Sequence, residues 1–375
     1  RQRQMCIRDR DIDDETYERY NNMTGELKHK ILDSITQNED EEYCFKLCDG
    51  KCPMLDDNGL CEIHKNLGED YLGVVCKQFP RYSEYYGTIK ESGIGLACEE
   101  AARIILSENR PFSMETAACD EEYEPSSEYD SSFALQIFAA REAVFKILAK
   151  ESLSIHEKLI VILDMGSKIQ QCINTDEYDN IKSVVNDYLK EGIAHTLDET
   201  RNLSDSGQFE DISLQQGIRQ ILYPYEEMEV LNPEWEVILK DIIDSLFEQM
   251  SDEEYNILNE EFGTYMVSRA YEYRQLLEYL VFRYFAKSIY DYDFLGKCQM
   301  LVTNFFVIRQ MDIIRWLDNH REYSFKDRMD VVHIFSRQVE YSEDNIENLY
   351  EDFIFDDIFK TDSLIAILWI DSENI

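Results

Sequence analysis

Six cysteines fall close together in one stretch, in the order Cys44-x3-Cys48-x3-Cys52-x8-Cys61-x14-Cys76-x21-Cys98. Thiolates are soft ligands, and four of them in roughly tetrahedral surroundings suit zinc or an iron–sulfur cluster. The competing reading is a set of buried free cysteines acting as small hydrophobes. Glycine turns flank the thiols, and no large run of apolar residues accompanies them, which favours metal. The paired C-x2-C knuckles of a zinc ribbon are absent from the spacing. His64, three residues after Cys61, and His333 are further nitrogen donors, against the commoner outcome of an exposed helix histidine. Ser92-Gly93-Ile94-Gly95 holds two glycines and opens no convincing βαβ unit, so a dinucleotide-type phosphate loop is not expected.

These residues need elements to position them. Residues 11–37 carry Tyr17, Tyr20, Leu27, Ile31, Leu32 and Ile35 at helical spacing, with Asp13 or Asp14 as N-cap. Residues 38–100 hold six of the ten cysteines, seven of the fourteen glycines and two prolines. Such a stretch packs poorly without a staple, and only short helices are expected in it, near 62–71 and 99–106. Residues 107–132 read as an acidic linker. Helices are predicted over 133–150, 154–174, 176–196, 210–221, 233–249, 252–260, 264–290, 293–318 and 342–359. Asn232-Pro233 places a cap before an N1 proline, and Ser251 with Glu254 forms a capping box. Leu276, Leu277, Leu280, Val281, Tyr284 and Phe285 form one apolar stripe that reads as core. The expected fold is therefore mainly α: a loop-rich cysteine module over 11–106, then a multi-helix domain over 133–375. Residues 1–10 carry four Arg in an acidic chain and no initial Met. They are expected to be a sequence artefact, with the natural chain beginning upstream.

Composition removes other classes. Of 375 residues, 77 are Asp or Glu and 37 Lys or Arg, a net charge of −40. That charge repels a phosphate backbone, so no nucleic-acid partner is expected. At 44% hydrophobic the chain can bury a substantial core. The longest clean apolar run, Leu364 to Ile370, is far short of the about 20 residues a membrane span needs, so no membrane insertion is expected. Ten cysteines in a chain of this size do not look like a secreted disulfide scaffold, which places the protein in the cytoplasm.

Several blocks carry a resemblance. Gly50-Lys-Cys52-Pro53-Met-Leu55, Asn58-Gly-Leu-Cys61-Glu-Ile63, Leu67-Gly68-Glu69, Cys76-Lys-Gln-Phe-Pro80-Arg81 and Leu96-Ala-Cys98-Glu-Glu-Ala101-Ala102-Arg103 resemble the flagellin lysine-N-methylase family, FliB. So do the lead-in Asp11-Ile12-Asp13-Asp14 and, later, Tyr279-Leu-Val-Phe282-Arg283-Tyr284 and Val339-Glu340-Tyr341-Ser342-Glu343-Asp344-Asn345. The resemblance is strong over 11–106, patchy over 264–350 and faint between. The chain departs from the family where its upstream C-x3-C and Cys-Cys pair would stand; the first ten residues occupy that place. Cys-Pro-Phe-Leu is Cys-Pro-Met-Leu here, Ser-Cys-Pro-Glu is Ala97-Cys98-Glu99-Glu100, and Glu-His-Ser is Glu340-Tyr341-Ser342.

The resemblance implies methyl transfer from S-adenosylmethionine to lysine side chains of flagellin, in a protein with an iron–sulfur cluster, zinc being the alternative metal. Cys52, Cys61, Cys76 and Cys98 match family cysteines and are the ligand candidates; Cys44 and Cys48 do not match. The first three cysteines stand one residue away from the C-x3-C-x2-C of radical S-adenosylmethionine enzymes, but the alternating strands and helices of their barrel do not follow. Arg81 and Arg283 lie inside matched blocks and are candidates to grip the carboxylate of the methionine moiety, against a structural salt bridge. Glu340 and Asn345 read as capping or positioning residues. No catalytic base is assigned among the many acids and tyrosines. The alternative function is a non-catalytic zinc- or iron-chelating module on a helical scaffold.

Overall fold

The structure is a computed structural model, and it describes residues 10–37, 41–46, 48, 51–107, 109–110, 112–118 and 130–373. The suspected decapeptide, apart from Arg10, and the acidic residues 119–129 lie outside the described residues. The chain is mainly α-helical, as its periodicity predicts.

The N-terminal part is small and irregular. Strands β1 (Arg10–Asp11), β2 (Ile35–Gln37) and β3 (Tyr43–Phe45) form an antiparallel sheet in the order β1-β3-β2. Helices α1 (Asp14–Asn22) and α2 (Glu26–Asp33) lie between β1 and β2. The single helix expected over 11–37 is broken because Gly25 takes φ +117°, a conformation other residues avoid. Asp13 caps α1 by accepting from the Thr16 N–H at 2.9 Å. Two short helices follow, α3 (Glu62–Leu67) and α4 (Val74–Gln78). Ile12, Tyr20, Met23, Ile31, Phe45, Cys52, Met54, Ile63 and Leu72 make a core of their own.

A β-hairpin that sequence periodicity did not predict comes next: β4 (Arg81–Tyr86) and β5 (Ile89–Ile94), antiparallel around Gly87-Thr88. With α5 (Glu99–Leu106) it joins the large core, to which Tyr86, Leu96, Ala102 and Leu106 belong. The hairpin is clamped by ion pairs rather than grease. Arg141 holds Glu91 through both guanidinium nitrogens at 2.7 and 2.5 Å, and Lys287 meets Glu84 at 3.0 Å.

The helical domain contains α6 (Ser131–Leu148), α7 (Ile155–Asn174), α8 (Ile181–Asp187), α9 (Ile193–Asp205), α10 (Leu214–Glu226), α11 (Pro233–Ile242), α12 (Asp252–Met266), α13 (Ala270–Tyr284), α14 (Ser288–Asp291), α15 (Phe294–Asp318), α16 (Phe325–Val339), α17 (Glu343–Phe355) and α18 (Thr361–Glu373). Ser154 and Ser251 close capping boxes, and Asn232 caps α11 ahead of Pro233. The expected helix over 264–290 is instead the end of α12, then α13 and α14, with 3-10 turns between. Helices α16 and α18 were not predicted. The buried helix α15 packs on α7, α13 and α16. Gly166 of α7 permits a close crossing with α15, since a Cβ there would stand 2.5 Å from Cys298 Sγ. Among the described residues no helix is long and apolar enough to cross a membrane.

Candidate active site

Four segments distant in sequence meet where the hairpin docks on α13 and α16. Arg283, near the end of α13, forms an ion pair from Nε to Glu340 Oε2 at 3.2 Å. Its Nη1 donates to the Tyr279 hydroxyl at 2.9 Å, one turn back on the same helix. Tyr279 and Tyr284 donate to the same Glu340 oxygen at 2.9 and 3.0 Å. The Leu96 N–H donates to the Tyr279 hydroxyl at 3.4 Å. Tyr82 of β4 lies under the Arg283 guanidinium, 4.6 Å from ring centroid to carbon, and Tyr284 and Tyr341 complete the aromatic surround at 5.5 and 6.0 Å.

The glycines of Ser92-Gly93-Ile94-Gly95 serve this packing. A Cβ on Gly93 would meet the Tyr82 hydroxyl at 2.5 Å, and one on Gly95 would meet Arg283 Nη1 at 3.2 Å and the Tyr341 hydroxyl at 3.3 Å. The pair of glycines that fails as a phosphate loop thus lets a strand approach a buried cation.

The electrostatics follow from burial. Glu340 is fully buried in its side chain, and Arg283 is 14% exposed. Burial drives the phenols of Tyr279 and Tyr284 well above their usual range, against the pull of Arg283, so both stay protonated donors. Burial works against the Arg283 charge, but Tyr279, Tyr284 and Glu340 outweigh it and hold the cation. Glu340 Oε2 takes all these contacts, while Oε1 is buried with no hydrogen-bond partner among the described residues. His333, on the helix that Glu340 caps, faces the Ala97 backbone; burial first, then Arg337, brings its pKa down to about 4.

A cleft of about 670 Å³ adjoins this centre. It is bounded by β5 from Ile89 to Ser92, by the extended segment Phe112 to Ala118, and by Phe282, the neighbour of Arg283. Phe112 stacks on Phe145 at 4.2 Å, and Arg274 donates to Asn109 Oδ1 at 2.7 Å, which fixes the extended segment on the helical domain. The volume is within the usual range for a binding cleft.

The residues singled out in the sequence distribute as follows. Arg283 is engaged by Glu340, an internal carboxylate. Arg81 begins β4 and is exposed. Cys52, Cys61 and Cys76 share the small N-terminal core, with Tyr20 close enough for Cys76 and Cys61 to add to the burial that raises its pKa. Cys98 is not with them: it caps α5, and its N–H donates to Gly95 O at 3.3 Å, beside the polar centre. Cys44 is buried in β3 and Cys48 is exposed. His64 is exposed on α3. Among the described residues no group of three or more His, Cys, Asp or Glu side chains converges to hold a metal ion. Cys98 is half-buried at the start of α5, outside the apolar cluster that holds Cys52, Cys61 and Cys76. Asn345 does position a helix, accepting from the Glu229 N–H at 2.9 Å and donating to Glu229 O at 3.0 Å. Tyr82 and the role of Glu340 as the partner of Arg283 were missed. The Tyr-x-Glu-x-Tyr alternation of 82–86 was the available signal.

Comparison with known proteins gives a consistent result. The family described as FliB lysine N-methylase C-terminal domain matches residues 141–367, more than half of the chain. The flagellar biosynthetic protein FliU of Salmonella muenchen is 37% identical over 59 residues, 16% of this chain and 35% of that protein. Lysine-N-methylases of Salmonella typhimurium (strain LT2) and Salmonella choleraesuis (strain SC-B67) are each 37% identical over 59 residues, which cover 15% of their length. The alignable part is thus a small fraction of the curated relatives. No solved structure matches.

Proposed function

The chain belongs to the FliB lysine N-methylase family, and on that premise we propose that it takes part in S-adenosylmethionine-dependent N-methylation of flagellin lysines in the cytoplasm. The observation that supports this most is the meeting of the segments around 80–82, 93–98, 279–284 and 340–341 at one buried polar centre beside a cleft.

The chemistry sets the requirements. A lysine ammonium, with pKa near 10.4, has no lone pair to offer at neutral pH and must lose a proton first. The amine nitrogen then bonds to the methyl carbon as the carbon–sulfur bond breaks, and the sulfonium leaves as a neutral thioether. Donor and acceptor must be held in line, largely a positioning task. Glu340 Oε1, a carboxylate oxygen with an unused acceptor site, is suited to take an amine N–H. Tyr279, Tyr284 and Arg283 fix its orientation through Oε2. Exposed Arg81 is the candidate for the donor's carboxylate, since Arg283 already holds Glu340. The same reading gives the cysteine module an iron–sulfur cluster, or zinc in its place, and no step of the transfer runs through it.

The test incubates purified protein with flagellin and S-adenosylmethionine labelled in its methyl group. Label recovered on lysine side chains by mass spectrometry supports the proposal. Absence of label, with a protein that is folded and loaded with its metal as isolated anaerobically, overturns it. Iron, zinc and sulfide analysis of that material tests the cluster.

A further inference from the structure

The cleft beside the polar centre combines an aromatic corner with a polar lining. Phe112 is half-buried and lines it, parallel to Phe145 at 4.2 Å and tilted against Phe282, a second lining ring, at 5.7 Å. Thr88, Ser92, Ser113 and Thr116 add hydroxyls. Among the described residues the lining carries three charged side chains, Lys90, Glu91 and Glu115. Arg141 neutralises Glu91 through both of its oxygens. Lys90 and Glu115 contribute one charge of each sign. Such a lining suits neither a strongly basic chain nor a polyanion. It suits a zwitterion that also carries a planar ring system.

We propose that this cleft seats the methyl donor, S-adenosylmethionine, with its adenine against Phe112 and Phe282. The proposal rests on the lysine-methylation reading and names where its donor is bound. A base gains from contact with an aromatic ring without needing matched hydrogen bonds. Small-molecule sites are commonly an apolar pocket with a few polar groups that fix orientation. The ribose hydroxyls are donors for which Glu115 is a carboxylate acceptor. Two features of the fold set the direction of the rest of the molecule. Phe282 is followed directly by Arg283, so the aromatic corner and the arginine that holds Glu340 share one turn of α13. Ser92 pairs with Ser83 across the hairpin, their hydroxyl oxygens 2.8 Å apart, and Arg81 lies two residues further along β4 on the same face. That is a step of about 7 Å along the strand. A donor whose base is in the aromatic corner and whose tail passes Ser92 thus brings its methionine carboxylate toward Arg81.

The experiment uses the full chain, isolated anaerobically with its metal, and S-adenosylhomocysteine as the probe, with binding read by calorimetry. Phe112→Leu fills the space without a ring face and should weaken binding about tenfold or more; Phe112→Tyr keeps the ring and should bind nearly as wild type does. A second measurement uses unaltered protein and S-adenosylmethionine carrying an 8-azido group on its adenine, which is irradiated and mapped by mass spectrometry. Label should fall on residues 85–92, 112–118 or 282. Equal affinity of Phe112→Leu and wild type overturns the proposal, as does the absence of any binding. Label confined to other residues, with methyl transfer intact, overturns this inference and leaves the methylation reading standing. Label in the cleft of a protein that transfers no methyl group keeps this inference and sinks that reading.

Discussion

His333 should make the protein acid-sensitive at the candidate site. The ring is buried on α16, about two turns before Glu340, and its pKa falls from 6.5 to about 4. Burial is the main cause, followed by Arg337, with Asp330 and the Ala97 backbone opposing. The native state thus binds less proton than the unfolded chain between those two values, and stability is lost as pH falls through that window. Linkage gives the size: between about pH 7 and about pH 5 the imbalance amounts to about 2 kcal/mol. Most of it should appear before the carboxylates begin to titrate. The assay is urea unfolding at a series of pH values for the wild type and for His333→Gln, which keeps a polar side chain near Ala97 but cannot titrate. The wild type should lose about 2 kcal/mol more than the variant over that range. Parallel curves would refute the reasoning, and so would a His333 ring resonance that titrates at or above 6.5. Because Glu340 caps the end of α16, the proposed methyl transfer should decline over the same range.

Four further outcomes follow from particular contacts. Glu340→Gln leaves the Arg283 guanidinium without its counter-charge in a mostly buried place, and unfolding measurements should show a loss of about 3 kcal/mol. Burial raises the Asp371 carboxyl, but Arg309 and His156, with hydrogen bonds from His156 and Asn259, outweigh it and bring its pKa down to about 2. Its contribution of about 2 kcal/mol is present above pH 4 and lost as pH falls through 2, so Asp371→Asn should destabilise at neutral pH and converge with wild type in strong acid. Any metal bound by the N-terminal module should be lost on Cys61→Ser or Cys76→Ser and kept on Cys98→Ser; loss in the third variant would return that thiol to the ligand set. Gly166→Ala should cost about 1–3 kcal/mol by driving a methyl into Cys298, and Cys298→Ala in the same chain should recover part of it, as read from thermal melts.

The helical content was legible because most helices carry caps and a clear apolar stripe, as at Ser154, Ser251 and Asn232. Helix α16 was hidden because Arg328, His333, Ser336 and Gln338 are buried within it, which erases the stripe. Helix α18 was hidden for the opposite reason: Leu364 to Leu368 are buried all round, so no polar face marks a period. The hairpin escaped because its inward positions are Tyr82, Glu84, Tyr86 and Glu91, polar groups that Lys287, Arg141 and Arg283 neutralise from a distance in sequence. At the candidate site, the blocks around 80, 96, 279 and 340 were visible one by one. Their convergence was not, since no local signal says that the end of α13 and the end of α16 face the same strand. The cysteine spacing likewise does not show that the β4–β5 hairpin stands between Cys76 and Cys98 and that Cys98 starts α5.

Burial of charge alone does not mark the Arg283–Glu340 centre as functional, because the described residues hold other buried ionic assemblies, two of which compare with it closely. In one, Asp312 takes Arg328 and Tyr273 on Oδ2, both at 2.6 Å, and Tyr323 on Oδ1. Glu272 beside it takes Arg269 on Oε1 at 2.7 Å and Arg328 on Oε2 at 3.1 Å. In the other, Asp371 takes His156 on Oδ2 at 2.6 Å and Asn259 on Oδ1, while Arg309 holds Asn259 Oδ1 at 3.0 Å. Every carboxylate oxygen in those two assemblies is occupied, although Arg328 Nη2 in the first is buried and unmet; an unmet buried acceptor costs about 1–3 kcal/mol. Glu340 differs on that one count. Its Oε1 is buried and unmet, yet Oε2 is held by three donors that fix the carboxylate in place. This is also the assembly whose arginine follows Phe282, a wall of the cleft. Under the proposed function, that unmet oxygen is the one suited to a donor from the acceptor amine.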